Sequence, residues 1–231
     1  MASELSAICL AAERPERLVR FWAGLLGRKP DDGTVLPGDG TGFRLRFVPA
    51  AAPKTGQNRA HFDLTSETLA EQERTVARAL ELGARHIDVG QLPEEEHVVL
   101  ADPEGNEFCV IEPGNNFLAG CGFVGALACD GSQQVGYFWS AALDWPLVWD
   151  RDEETAIQSP RGGSKISWGG LSPRNGPDRV RFELVPAAGS DQQAEVERLL
   201  SLGAVRAGAG RDEAGRIVLA DPDGTEFSVL R

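Results

Sequence analysis

The sequence is poor in the residues that build cofactor and disulfide frameworks. It has four cysteines in 231 residues. Cys9, Cys109, Cys121 and Cys129 show no C-x-x-C spacing, so neither a structural zinc motif nor a disulfide framework is indicated. No apolar run approaches the length of a membrane span. The N-terminus lacks an apolar stretch behind positive charge, so no signal peptide is expected. Basic clusters are missing too. The net charge is −12, which argues against nucleic acid or an anionic membrane as partner. A reduced, cytoplasmic, soluble chain is the expectation. A hydrophobic fraction of 42% is enough for a sizeable core, and the length allows one large domain or two ordinary ones.

What is present is a repeat. Val99-Leu100-Ala101-Asp102-Pro103-Glu104-Gly105-Asn106-Glu107-Phe108-Cys109-Val110 returns as Val218-Leu219-Ala220-Asp221-Pro222-Asp223-Gly224-Thr225-Glu226-Phe227-Ser228-Val229, 119 residues later. Each copy reads as a β-hairpin, because proline presets φ in the turn and glycine takes the positive φ that follows. In the outgoing strands Phe108 and Val110 share one face, Glu107 and Cys109 the other.

Smaller repeats subdivide the halves. Leu26-Gly27, Leu82-Gly83 and Leu202-Gly203 end three helical patterns, and Phe21-Trp22 recurs as Phe138-Trp139. Pro15 suits a helix's first turn, while Ser66 and the pair Ser190 and Gln193 suit caps of later helices. Leu69, Val76, Ala79 and Leu80 form the apolar stripe of the second helix. The predicted fold class is α+β: four β-α-β-β-β units in two tandem pairs, each unit exposing a sheet face that it cannot bury alone. The first domain is placed at 1–114, with units 3–49 and 58–112. The second is placed at 122–231, with units 122–170 and 178–231. Pro113 to Gly122 is the connector, and each half is expected to contain one concave sheet.

The Phe-Trp helix closing on Leu-Leu-Gly, the Ala60-His61-Phe62-Asp63-Leu64 strand and the two Asp-Pro-x-Gly hairpins resemble the vicinal oxygen chelate superfamily. This is the glyoxalase/bleomycin-resistance/dioxygenase group, and the resemblance covers essentially the whole chain. It implies two glyoxalase-like domains whose sheets curl around clefts. It also implies, in metal-dependent members, one ligand on the first and one on the last strand of each unit. Those positions match Ala7, His61, Val124 and Arg181 on first strands, and Cys109 and Ser228 on the hairpin strands. Arg44 or Arg46 stands at the corresponding place in unit one, and Ser167 or Trp168 in unit three. His61 is then the one standard ligand retained, so the expectation is no metal and no cofactor, with a divalent metal as the alternative.

The resulting expectation is a metal-independent protein that binds an antibiotic or secondary metabolite, as bleomycin-resistance-like members do. The alternative is a metal-dependent lyase, isomerase or dioxygenase with an atypical site. A third reading is a structural remnant whose halves serve association. The partner is a small molecule, and the chain is a monomer or homodimer. Candidate ligand-binding residues are His61, Asp63, Cys109, Arg46, Glu107, Arg181, Ser228 and Trp168. His61 reads as a ligand contact, a general base or a solvated strand residue. Cys109 is expected to face it across a cleft, as a nucleophile or a buried filler. Arg181 reads as a partner for a ligand carboxylate or for Glu183 or Glu226. Glu107 and Glu226 read as acid/base groups or hairpin anchors. Trp168 offers stacking area in the second cleft. The loops 31–42 and 161–176 read as covers of a cleft mouth or plain connectors.

Overall fold

The computed structural model describes residues 2–38, 41–92, 94–170, 179–211 and 215–231. Parts of the loops 31–42 and 161–176 therefore lie outside the described residues. All four units are present. The first is β1 (Glu4–Ala12), α1 (Pro15–Leu26), β2 (Pro30–Asp31), β3 (Thr34–Val35) and β4 (Leu45–Pro49). The second is β5 (Ala60–Leu64), α2 (Leu69–Glu81), β6 (Arg85–His86), β7 (Val98–Ala101) and β8 (Glu107–Val110). The third is β9 (Val124–Asp130), α3 (Gln133–Leu143), β10 (Leu147–Arg151), β11 (Glu154–Gln158) and β12 (Lys165–Gly169). The fourth is β13 (Val180–Val185), α4 (Gln192–Ser201), β14 (Val205–Arg211), β15 (Ile217–Ala220) and β16 (Glu226–Val229). Among the described residues no helix is long and apolar enough to cross a membrane.

Helix ends follow local chemistry. Pro15 opens α1, and Gly27 closes it with φ of 62°, a conformation that costs glycine little. The caps of α2 and α4 differ from expectation. Thr68 accepts from the Glu71 amide, and Asp191 from the Ala194 amide at 2.8 Å, in place of Ser66 and Ser190. The stripe of α2 is also redrawn. Leu69 and Leu80 are exposed, and the helix buries Gln72, Thr75 and Ala79. Gln72 donates to the carbonyl of Val110 at 3.0 Å, tying the helix to the last strand of its unit. Gln192 does the same to Val229 at 2.8 Å.

Within each half the units meet through an aromatic core and a carboxylate clamp. Phe21 and Trp22 of α1 pack against Phe108 of β8, and Trp22 against Phe62 of β5. Phe138 and Trp139 of α3 pack likewise against Phe227, and Trp139 against Phe182. The hairpin aspartates are buried at the same place. Asp102 accepts from Trp22 Nε1 at 3.3 Å, and Asp221 from Trp139 Nε1 at 3.2 Å. Backbone amides two and four residues on also donate to each aspartate and lock the turn. The acid after the proline reaches further. Glu104 accepts from the amides of Glu13 and Arg14 (2.7 and 2.6 Å) at the start of α1. Asp223 accepts from the amide and hydroxyl of Ser132 (2.7 and 2.9 Å) at the start of α3. Each Asp-Pro-acid-Gly turn is thus a clamp on the helix of its neighbouring unit.

The sheets are assembled differently from the expectation of one per half. One eight-stranded sheet has the order β14-β15-β16-β13-β1-β4-β3-β2, and the other β10-β11-β12-β9-β5-β8-β7-β6. The first sheet joins unit one to unit four, and the second joins unit two to unit three. The seams are antiparallel first strands: β1 against β13, with Cys9 opposite Arg181, and β5 against β9, with His61 opposite Ala128. The helix sides hold units within a half, so the first strand of each unit is left to pair across halves. Ala7 consequently lies in a different sheet from His61.

Burial raises the carboxyl pKa of Asp221 to about 6, against the donors on its oxygens, and raises that of Asp102 as well. A folded-state value above the unfolded one near 3.9 favours the neutral acid in the fold. Stability from this group is therefore full below about pH 4 and lost as pH rises through about 6, by up to about 3 kcal/mol. Denaturant titrations of wild type and Asp221→Asn between those pH values should show wild type losing stability relative to the variant as pH rises. A constant difference between them would contradict a carboxyl whose burial outweighs the donors on its oxygens.

Candidate functional site

Strand parity sorts the side chains of both sheets. Ile8, Leu10, Leu45 and Phe47 of the first sheet and Phe62, Leu64, Phe108 and Val110 of the second enter the helix-side core. Their neighbours project to the opposite face, where two cavities lie. Trp168 alternates with Ser167, shares the parity of Ile166 and is buried on the helix side; it lines neither of these two cavities but a smaller one of about 30 Å³, together with Arg181 and Asp221. Val124 is likewise a core residue, opposite Leu64, and β9 presents Ala126 and Ala128 to the open face instead.

The first sheet carries the larger cavity, about 460 Å³, which is within the range of small-molecule sites. Its floor contains a row across three adjacent strands: Arg46 of β4, Cys9 of β1 and Arg181 of β13. Glu183 lies one step along, beside Ser228 of β16. Glu183 is almost fully buried and bound on two sides, by Arg46 Nη1 at 2.8 Å and Arg216 Nη1 at 3.2 Å. Arg181 pairs with Glu226 at 2.8 Å on the rim, which resolves its two expected carboxylate partners. Arg179 donates to the carbonyls of Ala11 and Ala52 and anchors the linker segment that walls the cavity. Burial, followed by the charge of Glu183, pushes the Cys9 thiol up to about 11. Arg46 therefore belongs with Arg181 and Ser228, and not with His61.

The second sheet places His61, Asp63 and Cys109 together. One donor atom from each lies within 4.8 Å of the other two, and His61 Nε2 stands 3.4 Å from Asp63 Oδ1. Cys109 does not face His61 across a cleft. It stands beside Asp63 on the adjacent parallel strand. Burial opposes a charge on His61, yet hydrogen bonding to Asp63 and Cys109 lifts its pKa well above the usual value. Burial raises the Cys109 thiol, and His61 partly offsets the rise. Glu107 is an anchor: it accepts from Lys54 Nζ at 2.7 Å and from the Asn58 amide at 3.2 Å, fixing the linker between units one and two. The cavity here is smaller, about 280 Å³.

The connector explains part of the difference. Phe117 and Leu118 fold over the open face of the second sheet and pack with Val99, Cys109, Ile111 and Ala126. Phe117 stacks edge-on against Trp149, with ring centroids 5.6 Å apart, and Lys165 Nζ lies over its ring and bonds its carbonyl. The stretch between the halves is therefore a cover as well as a boundary. Sequence reasoning also missed Arg216, Glu183 as a cavity floor residue, and Cys9. Arg216 was within reach of parity, because Ile217 and Leu219 point to the core.

A variant that uncovers this face tests the arrangement. Leu118→Ala should cost about 2–4 kcal/mol of stability, as expected for truncating a buried leucine. It should also speed alkylation of Cys109 by iodoacetamide, read by peptide mass mapping. Unchanged Cys109 reactivity would mean that the connector does not cover it.

Zea mays glyoxalase I is similar in fold, with a TM-score of 0.65 at 12% identity over 99% of this chain and 92% of that one. A glyoxalase/bleomycin resistance protein/dioxygenase family enzyme from Burkholderia phytofirmans PsJN matches 46% of this chain and 96% of its own, with a TM-score of 0.38 at 16% identity. No curated protein matches the sequence. The family model described as a glyoxalase-like domain matches twice, at residues 7–111 and 125–230, and the chain belongs to that family as a tandem pair.

Proposed function

We propose that this protein binds a small molecule without a metal, in the manner of the bleomycin-resistance type, and that the cavity of the first sheet is its binding site. The carrying observation is the state of Glu183. It is the one carboxylate lining that cavity among the described residues, and two guanidiniums already bracket it. A divalent cation there would have to share a single carboxylate with Arg46 and Arg216 and would be repelled by both. Ser228 and the neutral thiol of Cys9 are weak substitutes for the nitrogen and carboxylate ligands that suit such an ion. The donor set of the first sheet does not fit a metal.

A second reading rests on the second sheet. His61, Asp63 and Cys109 supply nitrogen, oxygen and sulfur from one small volume, and such a set fits Zn²⁺ with an open fourth position. A metal bound there would act as a Lewis acid on a substrate oxygen, as a lyase, isomerase or dioxygenase requires. The facing strand β9 adds Ala126, Ala128 and, at its end, Asp130, which lines the same cavity, while the three clustered donors all come from one unit.

Elemental analysis of the purified protein, with mass spectrometry of an organic extract before and after chelator treatment, separates the readings. The binding reading expects a co-purifying small molecule that survives metal removal. Stoichiometric metal, with release of the small molecule on chelation, would establish the second reading in its place.

A further inference from the structure

We infer that the cavity of the first sheet recognises an oxyanion headgroup, carboxylate or phosphate, carried on an apolar body. The inference rests on the binding reading above and names its ligand class. Arg46, Cys9 and Arg181 occupy one row on β4, β1 and β13. Adjacent strands lie about 4.8 Å apart, so the two arginine positions flank Cys9 at about 10 Å. The residue between them is small and buried, which leaves room above it for a headgroup held from both sides. A guanidinium carries five donors. Arg46 uses Nη1 on Glu183, and Arg181 meets Glu226 through Nη2 at the half-exposed rim. Each retains donor capacity for a second oxygen pair, in the forked geometry that suits carboxylate and phosphate.

The charge of the lining points the same way. Arg46, Arg179, Arg181 and Arg216 line this one cavity, and Glu183, Glu226 and Glu104 pair with them, which leaves one positive charge in excess in a chain whose net charge is −12. A cation-rich pocket in an acidic protein draws in an anion through local contacts, not through the overall field. The neutral Cys9 thiol adds no opposing charge beneath the headgroup. Apart from Ser228, the remaining walls are apolar, among them Val48, Val218 and the linker alanines Ala50 to Ala52. They suit a flat or branched hydrocarbon body, and a bare inorganic ion would leave them unused.

The test is calorimetric titration of the full chain with naphthoate, naphthyl phosphate and naphthamide, which share a body and differ in headgroup. Inorganic phosphate serves as the body-free probe. At least one of the two anions should bind at least about tenfold tighter than the amide, and its affinity should fall with added salt. Arg181→Gln should weaken that anion about tenfold and leave the amide unchanged. Arg46→Lys keeps the charge but loses the fork, and should weaken it by a smaller factor. Arg78→Gln, at an exposed helix pair, should change nothing. Melting curves confirm that each variant is folded. A preference for naphthoate or for naphthyl phosphate identifies the headgroup, and either supports the inference. Amide binding as tight as that of the anions, or anion binding indifferent to Arg181→Gln, overturns the inference and leaves the binding reading standing. Inorganic phosphate binding as tightly as the aromatic anions overturns the apolar body, and no binding by any probe overturns the inference entirely. Loss of anion binding on chelator treatment overturns the metal-free reading instead.

Discussion

Two buried carboxylates govern how this chain is put together. Asp102 and Asp221 each close their own hairpin through backbone amides and hold an indole from the helix of the preceding unit. One residue past the proline, Glu104 and Asp223 cap the start of that same helix. An uncapped helix start leaves several amides without partners, so a carboxylate there satisfies donors and meets the favourable end of the helix dipole. Desolvation works against the buried aspartates, as the raised value of Asp221 shows. The surrounding donors and the aromatic packing of Trp22 and Trp139 offset that cost.

That clamp fixes the units of a half by their helix sides and leaves the first strands to pair elsewhere. β1 pairs with β13, and β5 with β9, so both sheets are shared between halves. The sharing decides the chemistry of each cleft. The first combines Arg46 of the first half with Arg181, Glu183 and Arg216 of the second, which makes a basic pocket that neither half contains alone. The second gathers His61, Asp63 and Cys109 from one unit, with Ala126, Ala128 and Asp130 from the other half, beneath a connector that fills part of its face. One fold thus carries two unlike clefts, because matched positions hold His61 against Arg181, Asp63 against Glu183 and Cys109 against Ser228.

Much of the fold is legible in the sequence, because it rests on local signals repeated at regular intervals. The hairpins, the Pro15 start, the Gly27 stop and the alternation that points Cys109 away from Phe108 all follow from turn chemistry and parity. What was not legible is long-range. No local signal says that β1 should pair with β13 and not with β5, so Arg46 was grouped with His61 when it belongs with Glu183. The caps at Thr68 and Asp191 were missed by one or two residues because neighbouring serines carry the same chemistry. The face of Trp168 was not legible, because its strand has no firm register until Ser167 and Ile166 fix the two faces. Phe117 and Leu118 sit among proline, glycine and asparagine, and composition marks that stretch as a boundary without showing that it also covers a sheet face.

The account depends on the cleft being built from both halves, and that is measurable without a ligand. Nuclear Overhauser contacts in isotope-labelled protein report which strands are neighbours. Cross-strand contacts should connect Ile8 with Phe182 and Leu10 with Val180, the Cα partners of the β1–β13 seam. Contacts from Ile8 and Leu10 to the strand of residues 60–64 instead would mean one sheet per half, and would separate Arg46 from Arg181, contradicting the basic cleft.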